Sequence, residues 1–275
     1  MSSCAIYPDL AGKIALIMGI GQVGSTESKI WGNGAAIASI LCQNKVKVFG
    51  CDLNLAAAEF TARRLHDMNG ICDVMAADVT KLTDVQKVVD TVMAKYGRID
   101  ILVNNVGLTT SGDPVSLPEA IWDRQLEVNL KSVYLCCHVV LPIMERQKSG
   151  SVVNNASIAG LRYLGKPQVA YNSAKAAVIH FTKVTGVLYA GKGIRMNSVV
   201  PGFIHTPLVE KFGQSELASD RETFRKITEH NVPMGRMGDS FDVANAAVFL
   251  ASDAAKYITA QEIVVDGGLT SSTGT

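Results

Sequence analysis

Tyr171 and Lys175 stand four residues apart in the run Ala170-Tyr171-Asn172-Ser173-Ala174-Lys175, and residues four apart share one face of a helix. A phenol beside an ammonium is a unit for moving protons. The positive charge favours phenolate, so the tyrosine's pKa is expected to fall from about 10 toward neutral pH. Such a group can take a proton from an alcohol oxygen or return it. The same spacing also fits an ordinary surface helix, so its meaning depends on what the rest of the chain puts around it.

The elements that must hold this pair are legible as apolar, β-branched runs alternating with segments of helical period. Strands are predicted at Lys13–Met18, Lys45–Cys51, Ile71–Ala76, Ile99–Val103, Gly150–Asn155, Ile194–Val200 and Glu262–Val265. Helices are predicted at Gly34–Gln43, Asn54–Met68, Lys81–Tyr96, Pro118–Gln147, Gln168–Ala190 and Ser240–Ser252, with Thr80 and Asp239 as start signals. Continuously apolar strands alternating with helices predict an α/β fold, a parallel sheet covered on both faces. No repeat, low-complexity linker or composition shift marks a second unit, so residues 1–275 are expected to form one domain. The long irregular stretch 201–237, with Pro201, Pro207 and Pro233, is expected to be a substrate lid.

Composition narrows the partners. The chain is 48% hydrophobic and 19% charged, as a protein with a large core is, and its net charge of +1 offers no field for nucleic acid. No polybasic block, no uncharged run of membrane-spanning length and no leader-like N-terminus is found. The six cysteines (Cys4, Cys42, Cys51, Cys72, Cys136 and Cys137) lack Cys-x-x-Cys spacing, so reduced thiols, a cytoplasmic location and no zinc site are expected.

In a doubly wound sheet, ligands bind beyond the carboxyl ends of the strands. The turn after the first strand contains Gly19, Gly21, Gly24, Gly32 and Gly34. Glycines there let the backbone approach a pyrophosphate at a helix N-terminus. Asp52 ends the second strand, where its carboxylate can accept from the ribose hydroxyls of NAD and would repel the 2′-phosphate of NADP. Asp78, after the third strand, either meets the adenine or caps the next helix.

With these residues in view the chain resembles the short-chain dehydrogenase/reductase family, in the branch with an enlarged Gly-rich phosphate loop, from about Lys13 to Gly268. Asn104-Asn105-Val106-Gly107 is similar to the family's Asn-Asn-Ala-Gly, Asn129 to its structural asparagine, and Ser157, Tyr171 and Lys175 to its catalytic residues. Pro201-Gly202, Thr206 and Val265-Asp266-Gly267-Gly268 complete the match. The resemblance implies a seven-stranded Rossmann-type sheet and a catalytic set of Ser157, Tyr171, Lys175 and Asn129. For NAD it implies contacts from Gly19, Gly32, Asn33, Gly34, Asp52, Leu53, Asp78, Val79, Asn105, Val106 and Gly107. Tyr171, Lys175, Pro201, Gly202, Ile204 and Thr206 would follow at the nicotinamide end.

Four departures accompany the match. Met18 stands where the family has threonine, and Gly32 and Gly34 come about nine residues late, so Ile20–Trp31 reads as an enlarged loop that puts Gly21 and Gly24 in doubt. Val106 replaces a small alanine. Ser157 is one residue further from Tyr171 than usual, which an insertion within Ile158–Val169 would explain.

The implied chemistry is hydride transfer between NAD(H) and a secondary alcohol or ketone. Tyr171 would exchange the proton, Ser157 hold the substrate oxygen, Lys175 tune the tyrosine and bond the ribose, and Asn129 hold a relay water. Leu161, Tyr163, Leu164, Val169, Phe203, Ile204 and Leu208 suggest a mostly apolar pocket for an alicyclic or aromatic substrate. Arg162 and His205 are candidate polar contacts, and Trp31 and Lys29 could extend over the cofactor. The helices holding Cys136-Cys137 and Ala176-Ala177 carry more apolar and small residues than one core face requires, and because such helices pair between subunits in the family, the resemblance implies a homotetramer, or a dimer. Two other readings stay open: an NADPH-dependent biosynthetic ketoreductase, and a non-catalytic dinucleotide-binding regulatory protein.

Overall fold

The computed structural model describes residues 5–22, 30–207, 209 and 230–273. Seven parallel strands lie in the order β3-β2-β1-β4-β5-β6-β9: β1 (Ile14–Met18), β2 (Lys47–Asp52), β3 (Ile71–Ala76), β4 (Ile101–Asn104), β5 (Gly150–Asn155), β6 (Ile194–Pro201) and β9 (Glu262–Val265). Between them run α1 (Asn33–Gln43), α2 (Leu55–His66), α3 (Leu82–Tyr96), α4 (Glu119–Leu126), α5 (Ser132–Gln147), α6 (Val169–Ala190) and α7 (Ser240–Ala251). The order reverses beside β1, which makes the edge beyond β1 and β4 a switch point where such folds bind ligands. A short strand inside the stretch expected to be irregular, β7 (Ile204–His205), pairs with β8 (Gly238–Asp239) just beyond its end.

The strands are apolar on both faces because each face carries its own core. On one side Leu16, Leu102 and Val152 meet α3 and α5; on the other Ile17, Val103 and Val199 meet α1 and α7. Helix α3 shows how sequence sets such packing. Val85, Val88, Val89 and Val92 recur at helical spacing and are buried, and Gly97 ends the helix at φ 74° with its N–H on the Met93 carbonyl.

The strands expected at Lys45–Cys51 and Ile99–Val103 start two residues later, and Lys45 explains one shift: its φ of 62° belongs to a turn. Lys81, not Thr80, caps α3, because the Thr80 hydroxyl donates to Asp78. The helix expected across Pro118–Gln147 is interrupted by a π-helical turn at Glu127–Lys131. By length and composition Glu119–Gln147 could cross a membrane, contrary to expectation and alone in this among the described residues. Its most apolar window is 61% buried inside the fold, as a core helix is. The five described cysteines are free and buried, and Cys4 lies outside the described residues.

Asp239 does start α7 as expected, through a full capping box: it accepts from Phe241 and Asp242 N–H, and Asp242 accepts from the Asp239 N–H at 2.9 Å. Asp239→Ala should cost about 1 kcal/mol of stability. Urea unfolding measures this, and an unchanged midpoint would contradict the cap's role.

Candidate active site

A ladder of side chains crosses the carboxyl edge of the sheet. The Asn105 amide donates to the Gly19 carbonyl at 2.7 Å, and the Asn155 amide donates to Asn105 Oδ1 at 2.7 Å. The Lys175 ammonium then donates to the Asn155 carbonyl at 2.9 Å. One layer deeper, Asn104 donates to Asn154, Asn154 to Thr182, and Ser198 to Thr182, all within 2.9 Å. The β4–β5 register sets Asn104 opposite Asn154, so the two Asn-Asn pairs run side by side. Together the two rows tie β1, β4, β5, β6 and α6 to one another by polar contacts that water cannot easily replace.

Tyr171 and Lys175 sit on α6, one turn apart. Lys175 is 3% exposed, and burial pushes its ammonium down to about 8. Burial raises the Tyr171 phenol, and a hydrogen bond with Ser157 works against that rise. The tyrosine pKa therefore moves opposite to the expected fall. The physical reason is burial of the phenol, together with a Lys175 charge that is turned to the Asn155 carbonyl, with Nζ 5.7 Å from the Tyr171 ring centroid. Ser157 caps a short 3-10 turn by accepting the Ala159 N–H at 3.2 Å. That turn packs hard on α6: a Cβ on Gly160 would lie 2.6 Å from the Ala176 nitrogen. Despite the extra residue in the loop beyond it, Ser157 sits near enough to Tyr171 to lower its phenol's pKa against the effect of burial.

Asn129 lies fully buried in the π-helical turn, a distortion common at functional sites. Its amide donates to the Leu108 carbonyl at 2.7 Å and its oxygen accepts the Leu108 N–H at 3.0 Å. This clamps the loop after β4. A Cβ on Gly107 would lie 3.4 Å from Asn129 Oδ1 and 3.6 Å from Lys175 Nζ, so glycine, asparagine and lysine converge. The N-terminus of α6 is tied to the same loop, with Gln168 donating to Thr109 at 2.8 Å.

The first turn is built for a backbone-close ligand. Gly19 has φ 89°, and a Cβ there would meet Val106 at 2.8 Å. A Cβ on Gly34 would fall 2.1 Å from the Gly19 carbonyl. Gly32 is the N-cap of α1 and supplies no side-chain cap, so the helix's first N–H groups are left for other partners. Gly21 has a definite place: its N–H donates to Asp52 at 3.0 Å, and a Cβ would meet that carboxylate at 2.8 Å. The other Asp52 oxygen accepts the Asn54 N–H. A glycine cradle at an uncapped helix start, with a carboxylate at the end of the next strand, fits a dinucleotide.

The remaining expected residues divide. Leu53 is exposed and Val79 buried beside this edge, Asn33 opens α1, and the Gly202 N–H donates to the Val265 carbonyl after β6 ends at Pro201. Thr206 is buried. Asp78 is occupied as a local cap, accepting from both Thr80 N–H and hydroxyl. Burial would raise its carboxyl, but the Thr80 bonds and the Lys81 and Arg124 charges outweigh that and lower it. The Ile204 side chain is buried in the core, which leaves its backbone as the part that could face a ligand. Two other expected contacts are occupied elsewhere. Arg162 is spent on the Leu269 and Ser272 carbonyls. Trp31 lies under Arg64, 3.4 Å from guanidinium to ring centroid, and edge-on to Phe241, rather than over a cofactor. Lys29, Gly24, Leu208 and most of the expected lid lie outside the described residues.

Sequence reasoning missed Asn155, Gln22, Thr109 and Gln168. The repeated Asn-Asn at the ends of two adjacent strands was the available signal for the ladder.

Fold and cradle define a Rossmann-type dinucleotide-binding protein. The family model described as enoyl-(acyl carrier protein) reductase matches residues 29–270. The 3-oxoacyl-(acyl-carrier-protein) reductase of Thermotoga maritima is 36% identical over 94% of this chain and 98% of its own. The D-threitol dehydrogenase of Mycolicibacterium smegmatis is 35% identical over 95% and 94%. Among solved structures, a short-chain dehydrogenase/reductase from Burkholderia xenovorans is 43% identical, with TM-score 0.92 over 96% of this chain and 99% of its own. The chain belongs to the short-chain dehydrogenase/reductase family, oxidoreductases that use a nicotinamide dinucleotide.

Replacing Asn129 by leucine would strand the Leu108 N–H and carbonyl. Each loss costs about 1–3 kcal/mol where the group is shielded from water. Thermal unfolding of Asn129→Leu should show clear destabilisation, and a wild-type midpoint would contradict the clamp.

Proposed function

We propose that the protein transfers hydride between NAD(H) and a hydrophobic alicyclic or aromatic secondary alcohol or ketone, in one catalytic domain acting in the cytoplasm. The observation that carries this is the convergence of Ser157, Tyr171 and the buried Lys175 on the sheet edge that also bears the Gly19–Gly34 cradle. A bound nicotinamide dinucleotide supplies the hydride donor or acceptor. Gly19, Gly32, Asn33 and Gly34 would hold its pyrophosphate, Asp52 and Leu53 its adenosine ribose, and Asp78 and Val79 the adenine. Asn105, Val106, Gly107, Lys175, Pro201, Gly202, Ile204 (through its backbone) and Thr206 would hold the nicotinamide half.

Tyr171 would give its proton to the developing alkoxide in reduction and take it back in oxidation, at the substrate oxygen that Ser157 orients. Its raised pKa keeps the phenol in the protonated form that reduction needs at neutral pH, and makes that proton harder to give up. Below about pH 8 Lys175 is charged and favours the phenolate left behind. Asn129, which clamps the neighbouring loop through Leu108, would help hold a water that relays protons between Lys175 and solvent.

Asp52 supports NAD over NADP, because a carboxylate held by two backbone N–H groups cannot swing away from a 2′-phosphate. The ketoreductase direction draws support from the relative named 3-oxoacyl-(acyl-carrier-protein) reductase. Leu161 and Tyr163, exposed on the loop before α6, support an apolar substrate. Assembly into a homotetramer draws support from Tyr134, Val184, Val187 and Leu188, exposed on α5 and α6, whereas Cys136 and Cys137 face the protein's own core.

Tyr171→Phe should abolish turnover of a broad ketone while NADH binding stays near wild type, with NADH preferred over NADPH by the unaltered protein. Retained turnover would overturn the role of Tyr171, and equal use of both cofactors would overturn that of Asp52.

A further inference from the structure

The enlarged loop poses a mechanical problem: the two halves of the cradle, Gly19–Gly21 and Gly32–Gly34, are separated by about ten residues of chain yet must act as one surface. The side chain of Gln22 spans the gap. Its Nε2 donates to the Ile30 carbonyl at 3.2 Å and its Oε1 accepts the Gly32 N–H at 3.1 Å. The strands of the loop's base lie close there, since a Cβ on Gly32 would sit 3.2 Å from the Gln22 Cβ and 3.9 Å from the Gly21 carbonyl. The amide thus bonds both sides of the returning chain, just before the helix whose N-terminus faces the cradle.

The two chain segments so joined are each anchored elsewhere. Gly21, next to Gln22, is held by Asp52, and the Trp31 carbonyl, next to Gly32, accepts from the Ser240 hydroxyl. The Trp31 ring is wedged between Arg64 and Phe241. Only the Gln22 bridge connects one anchored segment directly to the other among the described side-chain bonds at the loop's base. It also satisfies the Gly32 N–H, so this donor is not left to compete with those of Asn33, Gly34 and Ala35 at the helix start.

We propose that Gln22 is a positioning residue for the dinucleotide: it closes the base of the inserted loop and restores the pyrophosphate cradle that the insertion would otherwise split. This rests on the proposed dinucleotide-dependent function. It assigns to this chain a device that a cradle without the insertion does not need, because there the glycines are joined by a short backbone.

The test is Gln22→Met, which keeps the side chain's bulk and removes both hydrogen bonds. NADH binding followed by fluorescence titration should weaken about tenfold, the scale of two partly exposed hydrogen bonds. The KM for the ketone should stay close to wild type, a split that a general loosening of the fold would not give. Binding of NADH within twofold of wild type, or an equal loss toward the ketone, would overturn the inference alone. A wild-type protein that binds neither NADH nor NADPH would overturn the proposed function and this inference with it.

Discussion

The hydrogen bonds of Asn105 are the constraint on which the site depends. One side chain joins the turn after β1 to the end of β5, and the carbonyl of the next residue in the ladder, Asn155, receives the Lys175 ammonium. A change of strand spacing would therefore move the glycine cradle and the lysine together. The deeper row from Asn104 to Ser198 fixes that spacing through fully buried polar groups, which are costly to leave unpaired. The glycine cradle and the Ser157–Tyr171–Lys175 group come from opposite halves of the sheet, and this edge brings them together.

Burial has a second consequence, for charge. Burial of Tyr171 and Lys175 disfavours their ionised forms, raising the phenol and lowering the ammonium. A phenol that keeps its proton suits reduction near neutral pH. Oxidation requires the phenolate, which burial makes harder to reach and Ser157 makes easier. The lysine's charge is thus spent first on the Asn155 carbonyl, and its effect on the tyrosine is an electrostatic bias across the helix turn rather than a direct bond.

Much of this was legible in the sequence. Among the described residues, alternating periodicity located the long strands and helices because each core face imposes its own pattern, as the valines of α3 illustrate. Ser157, Tyr171, Lys175 and Asn129 were found through motif order and converge in space. What failed to show had a common cause: it depends on contacts distant in sequence. Whether Arg162 faces a substrate or the C-terminal carbonyls, whether Trp31 covers a ligand or a helix, and where a π-helical turn breaks an apolar run are decided by packing. The sign of the tyrosine shift was missed for the same reason, since spacing reveals a neighbouring charge but not the depth of burial.

The central claim is that a half-buried, normally protonated Tyr171 exchanges the proton during hydride transfer. The pH dependence of kcat/KM, followed by NADH absorbance in both directions, tests it most directly. Because the tyrosine pKa is raised, reduction of a ketone should be level through neutral pH and fall only in alkali, while oxidation of the alcohol should climb continuously from neutral pH upward. An oxidation rate already level below neutral pH, or a reduction rate that rises with pH, would contradict the account.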